Sequence, residues 1–426
     1  MAIVGGGLGG LFAALALEAV GVDDLLVLEA TGTAGGVART LRDDGYALGP
    51  GASSFLLPNP ALSPLLERVG AKVEPAHASR RFVYMGDRLR DVSAPTRALG
   101  LLPFGARPRV LAEPFVKGAR SEEDETVEGF LIRRLGKGAG VLAGRLMAAG
   151  VFAGDSQKLS VRSAFPVLAQ LEAQHGSLAR GMIARLRSRP AGAVRPHPHI
   201  PVGGIDGLAD AFVAHLGDRF RSDFPVSRIA SDRSGWRLAG PEEVAAEHVV
   251  LAIPAREASR LLPGDTGEAL TRTVSAPVVV AAFSAPAEEC ALPVGFGALV
   301  PGGLAALGVL FESSYAPQRA PQGRSLVKVI AGGARRPDVA EWTSDRVQGE
   351  LGEEVQRILG WPQAPELEIL ARRAIPQYPL GHQEWLASLE RLVGGTNLHL
   401  AGWSYRGPGL AQLAANASRI ARAIAL

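Results

Sequence analysis

Met1-Ala2-Ile3-Val4-Gly5-Gly6-Gly7-Leu8-Gly9-Gly10 opens the chain, and together with the residues up to Thr40 it decides the fold. A short apolar strand, Ala2-Ile3-Val4, runs into G-x-G-x-x-G at Gly5, Gly7 and Gly10. A helical stretch marked by Leu11, Leu15, Ala16 and Ala19 leads to a second apolar strand, Leu25 to Leu28, which ends at Glu29. This pattern predicts a β-α-β dinucleotide-binding unit. Gly5 allows the tight turn, Gly7 lets the backbone approach a pyrophosphate, and Gly10 lets helix and strand pack closely. The pyrophosphate belongs at the helix N-terminus, where unpaired N–H groups and the helix dipole favour an anion. Glu29, at the tip of the second strand, is placed to bind ribose hydroxyls.

The next segment separates the cofactors. Gly35-Gly36-Val37-Ala38-Arg39-Thr40 follows closely behind the ribose-binding acid. It resembles the G-G-x-x-x-(Ser/Thr) motif of FAD-dependent amine oxidases, which runs along the FAD pyrophosphate and ribityl chain. The alternative is an ordinary loop before the next strand. The combination of motifs points to FAD rather than NAD.

With 426 residues, 47% of them hydrophobic, the chain can bury two or three cores. It opens directly on a strand, so no basic leader is expected. No apolar run has the length to span a bilayer. A single cysteine, Cys290, excludes intramolecular disulfides and a cysteine-based metal cage, and fits a reducing compartment. The eight histidines form no metal-binding spacing, and His197 and His199 flank Pro198 in what reads as a proline-rich loop; no metal is expected. The net charge of +3 is unevenly spread. From Arg88 to Ile200 there are 18 Lys/Arg against nine Asp/Glu, a local balance of +9, so the remainder sums to −6. Such a stretch suits an anionic membrane surface. The bland alternative is a solvated helical face. Nucleic acid is not expected, because no recognition motif accompanies the charge.

Beyond Thr40, Tyr46 to Gly51 reads as a strand ending in a tight turn, and Ala61 to Val69 as a helix. Arg81 to Tyr84 and Leu89 to Val92 predict a hairpin turning at Gly86-Asp87. Ala94 to Arg189 has helical spacing, with Ser163 to Arg189 a long helix interrupted at Pro166 and Gly176. Gly192 to Gly204 reads as a loop and the best boundary in the chain. Ile205 to Leu216 is helical and Ala246 to Ile253 is a strand. Further strands follow at Val278-Val279-Val280, Gly295 to Val300, Leu307 to Phe311 and Leu326 to Ile330. An amphipathic helix carries Val347, Leu351, Val355 and Ile358. The chain closes with a strand at Leu398-His399-Leu400, a glycine turn and a helix from about Gly409.

Several strings resemble one family, the oxygen-dependent protoporphyrinogen oxidases. They are Asp124 to Val127 with Arg133 to Gly136, Gly150-Val151-Phe152-Ala153-Gly154-Asp155, Leu159 to Pro166, Gly295 to Pro301, Ile375-Pro376-Gln377-Tyr378-Pro379-Leu380-Gly381-His382, and Leu400 to Gly407. The likeness extends over nearly the whole chain. It implies an α/β protein (α+β overall) in three parts. A Rossmann-like FAD-binding domain is expected from residues 1–75, 200–265 and 390–426. A mixed-sheet substrate domain is expected from 76–92 and 266–389, and an inserted helical membrane-binding domain from 93–199. The implied reaction is the six-electron oxidation of protoporphyrinogen IX to protoporphyrin IX in three rounds, with O2 as acceptor and H2O2 as by-product. The implied location is cytoplasmic, peripherally attached to the membrane, with a homodimer left open.

The resemblance also implies site residues. Arg81 stands at the propionate-binding position, where a guanidinium can take a carboxylate bidentately; the alternative is a solvent-facing strand arginine. Gly150 stands where the family keeps a glycine facing the reactive ring. Phe296, Leu299, Leu310 and Ile330 fall at or near apolar wall positions, for which plain core packing is nearly the same expectation. Cofactor contacts are implied for Arg39, Thr40, Gly49, Pro50, Val226, Gly402, Gly407, Gly409 and Leu410. The last of these begin a helix whose N-terminus would face the flavin pyrimidine edge. The chain departs from the family at Ala411-Gln412, where a polar pair such as Asn-Asp is usual, and at Gly51, where a polar or basic residue often stands. Coproporphyrinogen III is the nearest alternative substrate. Another flavin amine oxidase or desaturase, and a non-catalytic FAD- or tetrapyrrole-binding protein, are the others.

Overall fold

The computed structural model describes residues 1–118, 123–190, 192–232 and 235–425. Residues 119–122, 191, 233–234 and 426, parts of the segments delimited above, lie outside these, among them Arg120 and Glu122 of the basic stretch.

The organising layer is a parallel sheet of five strands drawn from three distant parts of the chain. Their order is Phe220–Arg221, Leu26–Leu28, Ala2–Val4, Val249–Leu251 and Leu398–Leu400. Ala2 lies between Leu26 and Val249 in register. Both faces of this sheet are covered, which explains why its strands read as continuous apolar runs rather than alternating ones. Ile3, Val27 and Val250 point into one core, and Ala2, Val4, Leu28 and Leu251 into the other. The first helix, Leu8–Glu18, and the last, Leu410–Ile424, share the first core. Small residues (Ala14, Ala414, Ala417) alternate there with Leu11 and Leu15.

A second sheet has seven strands in the order Glu366–Gln377, Val274–Pro286, Arg324–Gly332, Ala306–Leu310, Gly297–Leu299, Arg81–Tyr84 and Leu89–Asp91. All its pairings are antiparallel except one: Gly297–Leu299 runs parallel to Arg81–Tyr84, with Gly297 opposite Arg81. That pairing brings Arg81 beside residues more than 200 positions later. The hairpin expected at Gly86-Asp87 is present, with positive φ of 62° and 52° at its two turn residues. The helix expected around Val347 spans Ser344 to Leu359 and contains a π turn over Val347–Leu351. Its four marker residues are buried.

The proline-rich stretch from Gly192 to Gly204 is not simply a loop. His197–Pro201 is a strand lying between Phe55–Leu57 and Val73–Pro75. Pro198 gives up its N–H donor yet still accepts from Ala76 N at 2.9 Å. Pro198 and Ile200 are buried while His197 and His199 are half-buried, a period-2 alternation that the prolines concealed in the sequence.

Between residues 95 and 187 the described residues form helices joined by turns. The long helix expected from Ser163 is three helices: Val161–Ala164, Pro166–His175 and Leu178–Arg187. Gly176 ends the second in the left-handed conformation, at φ 65°. Buried Glu113 caps the third, accepting from Ser177 Oγ at 2.6 Å, Leu178 N at 2.9 Å and Ala179 N at 3.0 Å. The same carboxylate pairs with fully buried Arg134. Burial alone would raise the Glu113 carboxyl, but these donors hold it below its ordinary value.

Candidate active site

At the carboxyl ends of the parallel strands, glycines build a cradle that side chains would fill. Gly5 has φ 106°, and a Cβ there would meet Ile253 Cγ2 at 2.7 Å. A Cβ at Gly10 would overlap the Gly5 carbonyl oxygen. Gly7 bridges to Gly35, whose amide donates to the Gly6 carbonyl at 2.9 Å. The two glycine motifs are thus one surface. The helix starting at Leu8 has no side-chain cap, so the cradle offers free backbone donors at a positive helix end. Glu29 is buried beside it and accepts from Gly6 N at 2.8 Å, Thr31 N at 3.0 Å and Thr31 Oγ1 at 2.8 Å. Those three bonds orient the carboxylate and leave acceptor capacity for a hydroxyl. These residues fit a dinucleotide cofactor. Gly6 belongs with them and was not singled out in the sequence. Its Cβ would lie 2.8 Å from Glu29 Cβ, and the uninterrupted Gly5-Gly6-Gly7 run was the available signal.

The other expected cofactor residues surround this cradle. Thr40 Oγ1 accepts from Ile205 N at 3.1 Å and its amide donates to Asp206 Oδ1 at 2.9 Å, so its hydroxyl caps the Ile205–Leu216 helix. Arg39 is exposed beside it. Gly49 and Pro50 are buried in a turn leading to Ser53. Val226 packs half-buried on the second core, two residues beyond Phe224, whose amide donates to the Glu29 carbonyl at 2.8 Å. Gly402 abuts the first helix, with a Cβ on Gly9 falling 3.4 Å from Gly402 Cα. Gly407 N donates to Tyr378 Oη at 2.6 Å. Gly409 begins the last helix without a side-chain cap, and Leu410 is buried behind it. The departure at Gln412 has a visible consequence. Its side chain folds back over this turn, so that a Cβ on Gly407 would lie 2.7 Å from Gln412 Cγ.

A separate cavity of about 870 Å³ lies between the second sheet and the helical segment. It brings together Arg81, Gly150, Phe296, Leu299, Leu310 and Ile330. Its opposite wall comes from helices and the bend after the Pro95–Gly100 helix, and includes Leu99, Leu102, Leu142, Leu146 and Met147, which sequence reasoning had not assigned to a site. The four-residue spacing of Leu142 and Leu146, with Met147 adjacent, was the signal. Arg81 is the one charged side chain among the residues lining the cavity. Neighbouring Arg80 is paired with Asp91 at 2.8 Å, whereas the exposed Arg81 guanidinium has no ion pair among the described residues. The cavity can therefore hold a flat apolar body and bind an acidic substituent at its edge.

Residues 8–424 match the family of flavin containing amine oxidoreductases. The chain is 31% identical to chloroplastic protoporphyrinogen oxidase of rice, Oryza sativa, over 438 residues, covering 92% of this chain and 81% of that protein. It is 32% identical to human protoporphyrinogen oxidase over 452 residues, covering 95% and 94% of the two chains. The chain belongs to the flavin-containing amine oxidoreductases, among the protoporphyrinogen oxidases. It is a flavoprotein oxidoreductase with FAD as cofactor. A crystal structure from an Exiguobacterium species, 22% identical, superposes with a TM-score of 0.80 over 100% of this chain and 98% of that one, and carries the same fold. Parallel and antiparallel sheets combined in this way are the flavin amine oxidase architecture.

Proposed function

We propose that the protein oxidises protoporphyrinogen IX to protoporphyrin IX, removing six electrons and six protons in three rounds. Three O2 are reduced to three H2O2. Bound FAD supplies the hydride acceptor for each round. The chain's own residues bind and orient. The apolar walls from Phe296, Leu299, Leu310 and Ile330 hold the macrocycle and exclude water. Arg81 takes a propionate, and Gly150 leaves room for the ring. The observation that carries this reading is the large apolar cavity edged by one unpaired guanidinium. The test is an aerobic assay on FAD-loaded protein with porphyrin fluorescence and peroxide followed together. No turnover, with FAD bound and an alternative acceptor tried, overturns it.

A second reading, coproporphyrinogen III as substrate, is favoured by one observation. A cleft of about 250 Å³ shares Ala149 and Leu307 with the cavity and is lined by Arg145, Arg335 and Arg336. Arg145 and Arg335 suit the additional propionates of that substrate, whereas Arg336 is paired with Asp338 at 2.9 Å. Both porphyrinogens assayed in parallel decide between them.

We also infer peripheral attachment to the cytoplasmic face of an anionic membrane. No described helix is long and apolar enough to cross one. Supporting attachment, Phe104 and Phe115 are 83% and 82% exposed and Leu111 is exposed between them. Arg107 lies over the Phe104 ring at 4.3 Å. Aromatic side chains flanked by cations suit a membrane interface. Binding to anionic liposomes that weakens with salt supports this reading; failure to bind removes it.

A further inference from the structure

Where the cradle meets the cavity there is a cluster of buried charges that neither site requires. Glu312 is fully buried, and Lys328 and Arg319 nearly so. Lys328 Nζ lies 3.1 Å from Glu312 Oε1. Arg319 Nη1 pairs with Glu312 Oε2 and donates to Tyr315 Oη at 3.1 Å. One carboxylate thus faces two cations, leaving one net positive charge in a site closed to water. Burial would raise the Glu312 carboxyl, yet Lys328 and Arg319 hold it at about 2. Burial draws the Lys328 ammonium below the usual lysine range, and Glu312 opposes that shift.

Further donors of both cations converge on one turn. Lys328 Nζ donates to the Gly49 carbonyl at 3.0 Å and to Ser53 Oγ at 2.7 Å. Arg319 Nη2 donates to the Ser53 carbonyl at 2.9 Å. The turn's other side packs on the cofactor cradle. A Cβ at Gly51 would lie 3.2 Å from the Val37 carbonyl oxygen, and a Cβ at Gly36, one residue before Val37, would lie 3.2 Å from Gly7 Cα. The cluster also reaches the substrate cavity. Lys328 is opposite Leu310 in the sheet register, and Ile330 follows two positions along on the same face. Phe296 stacks on Tyr315 with ring centroids 4.4 Å apart. A continuous set of contacts therefore joins the cavity wall to the cofactor turn.

We propose that Lys328 and Arg319 are positioning residues for the flavin, fixing the Gly49–Ser53 turn against it and raising its reduction potential through their surplus positive charge. This rests on the reading that FAD occupies the cradle. A cation in a dry interior acts on a nearby developing negative charge far more strongly than one in water. Stability alone is a weak reason to bury such a triad, because apolar replacements of similar volume are often neutral or stabilising.

Reductive titration of the FAD-loaded protein against a dye of known potential measures this without any porphyrinogen. Lys328→Met takes the cluster from one net positive charge to none, and adding Glu312→Gln restores one. The expected result is a midpoint potential shifted negative in the single variant and returned toward wild type in the double. Arg319→Met makes the same charge change from the other cation and should shift the potential the same way. It provides the reading if Lys328→Met does not fold. An unchanged potential in the foldable single variant, or a double variant as low as Lys328→Met, overturns the proposal. Failure of wild-type flavin to be reduced by porphyrinogen would instead count against the substrate assignment and leave this measurement intact.

Discussion

Gly150 packs directly on Leu299 in the cavity lining: a Cβ on Gly150 would lie 3.1 Å from Leu299 Cδ2 and 3.2 Å from Cδ1. Gly150 lies in the last turn of the Lys137–Phe152 helix, where alanine is intrinsically the better helix former by about 0.5–1 kcal/mol. Gly150→Ala should therefore leave thermal stability unchanged or slightly raised while narrowing the cavity. Turnover of porphyrinogen is expected to fall on the order of 10²-fold through misplacement of the ring. Gly150→Ala with Leu299→Ala should recover part of it. Full activity in Gly150→Ala would take the glycine out of the site.

Arg81 stands alone as a cation on the cavity lining. Arg81→Ala should raise KM for a propionate-bearing substrate by about tenfold, at the low end for a charged hydrogen bond because the guanidinium is exposed. FAD content should be unchanged, since the cradle lies on other strands. An unaltered KM would leave Arg81 as a solvent-facing strand residue.

Residues whose partners are close in sequence, or that belong to a rigid motif, were legible in advance. The Gly5–Gly10 turn, Glu29 and the flanking strands form one such unit, and the second glycine pair docks on it directly. The pocket residues Phe296 and Leu299 came from a recognisable string and Arg81 from its implied position in the family, and a single parallel strand pairing brings their strands together. The helical wall of Leu99, Leu142 and Leu146 was not legible as a site. Apolar spacing announces burial without saying whether a core or a cavity lies opposite. Lys328 was invisible for a different reason. Its burial depends on Glu312 and on Gly49, 279 positions away, and no local pattern encodes that encounter. The strand at His197–Pro201 was hidden by prolines that edge positions and turns usually claim.

The Gly10 position tests the cradle. A Cβ there runs into the Gly5 carbonyl oxygen, which is backbone and cannot swing away. Gly10→Ala should cost on the order of 3 kcal/mol or more and abolish FAD retention. Gly349→Ala, where nothing lies within 4 Å of a new Cβ, is the control and should keep wild-type stability and flavin content. Normal FAD binding by Gly10→Ala, followed by flavin absorbance after gel filtration, would contradict the close packing of helix on strand.

The helical segment is built around buried Arg134, which pairs with Glu113 and, at 3.1 Å, with Glu172, itself also held by Arg133. Arg134 donates from Nε to Glu113 Oε1 at 2.7 Å, and Glu113 in turn caps the Leu178–Arg187 helix. Arg134→Met leaves that carboxylate without its cation and should destabilise the protein by about 3–5 kcal/mol. Arg134→Met with Glu113→Leu removes both charges together. It should recover much of the loss in denaturant unfolding, less the helix cap. A single variant as stable as wild type would show that the pair contributes little.

The histidines give the protein a predictable acid sensitivity. His399 stacks on His248 at 5.5 Å between ring centroids. Burial, with repulsion from His248 and Arg419, lowers its imidazolium from 6.5 to about 4. His382 is lowered in the same direction, mainly by burial, while its Nε2 lies 2.9 Å from the Tyr405 carbonyl. An unfolded chain binds protons at both rings below about pH 6.5, whereas the folded chain resists until lower pH. Folding stability is therefore complete above about pH 6.5 and falls as the pH drops toward 4. The paired carboxylates Glu18 and Glu113 are lowered below 4.5, so their contribution is lost only at more acid pH. Urea unfolding between pH 7 and 5 isolates the histidines. His399→Gln should flatten that slope, on the order of 1 kcal/mol after allowing for partial solvation of the ring. An unchanged slope would mean that His399 takes up its proton as readily folded as unfolded, and that the stack with His248 does not exclude charge.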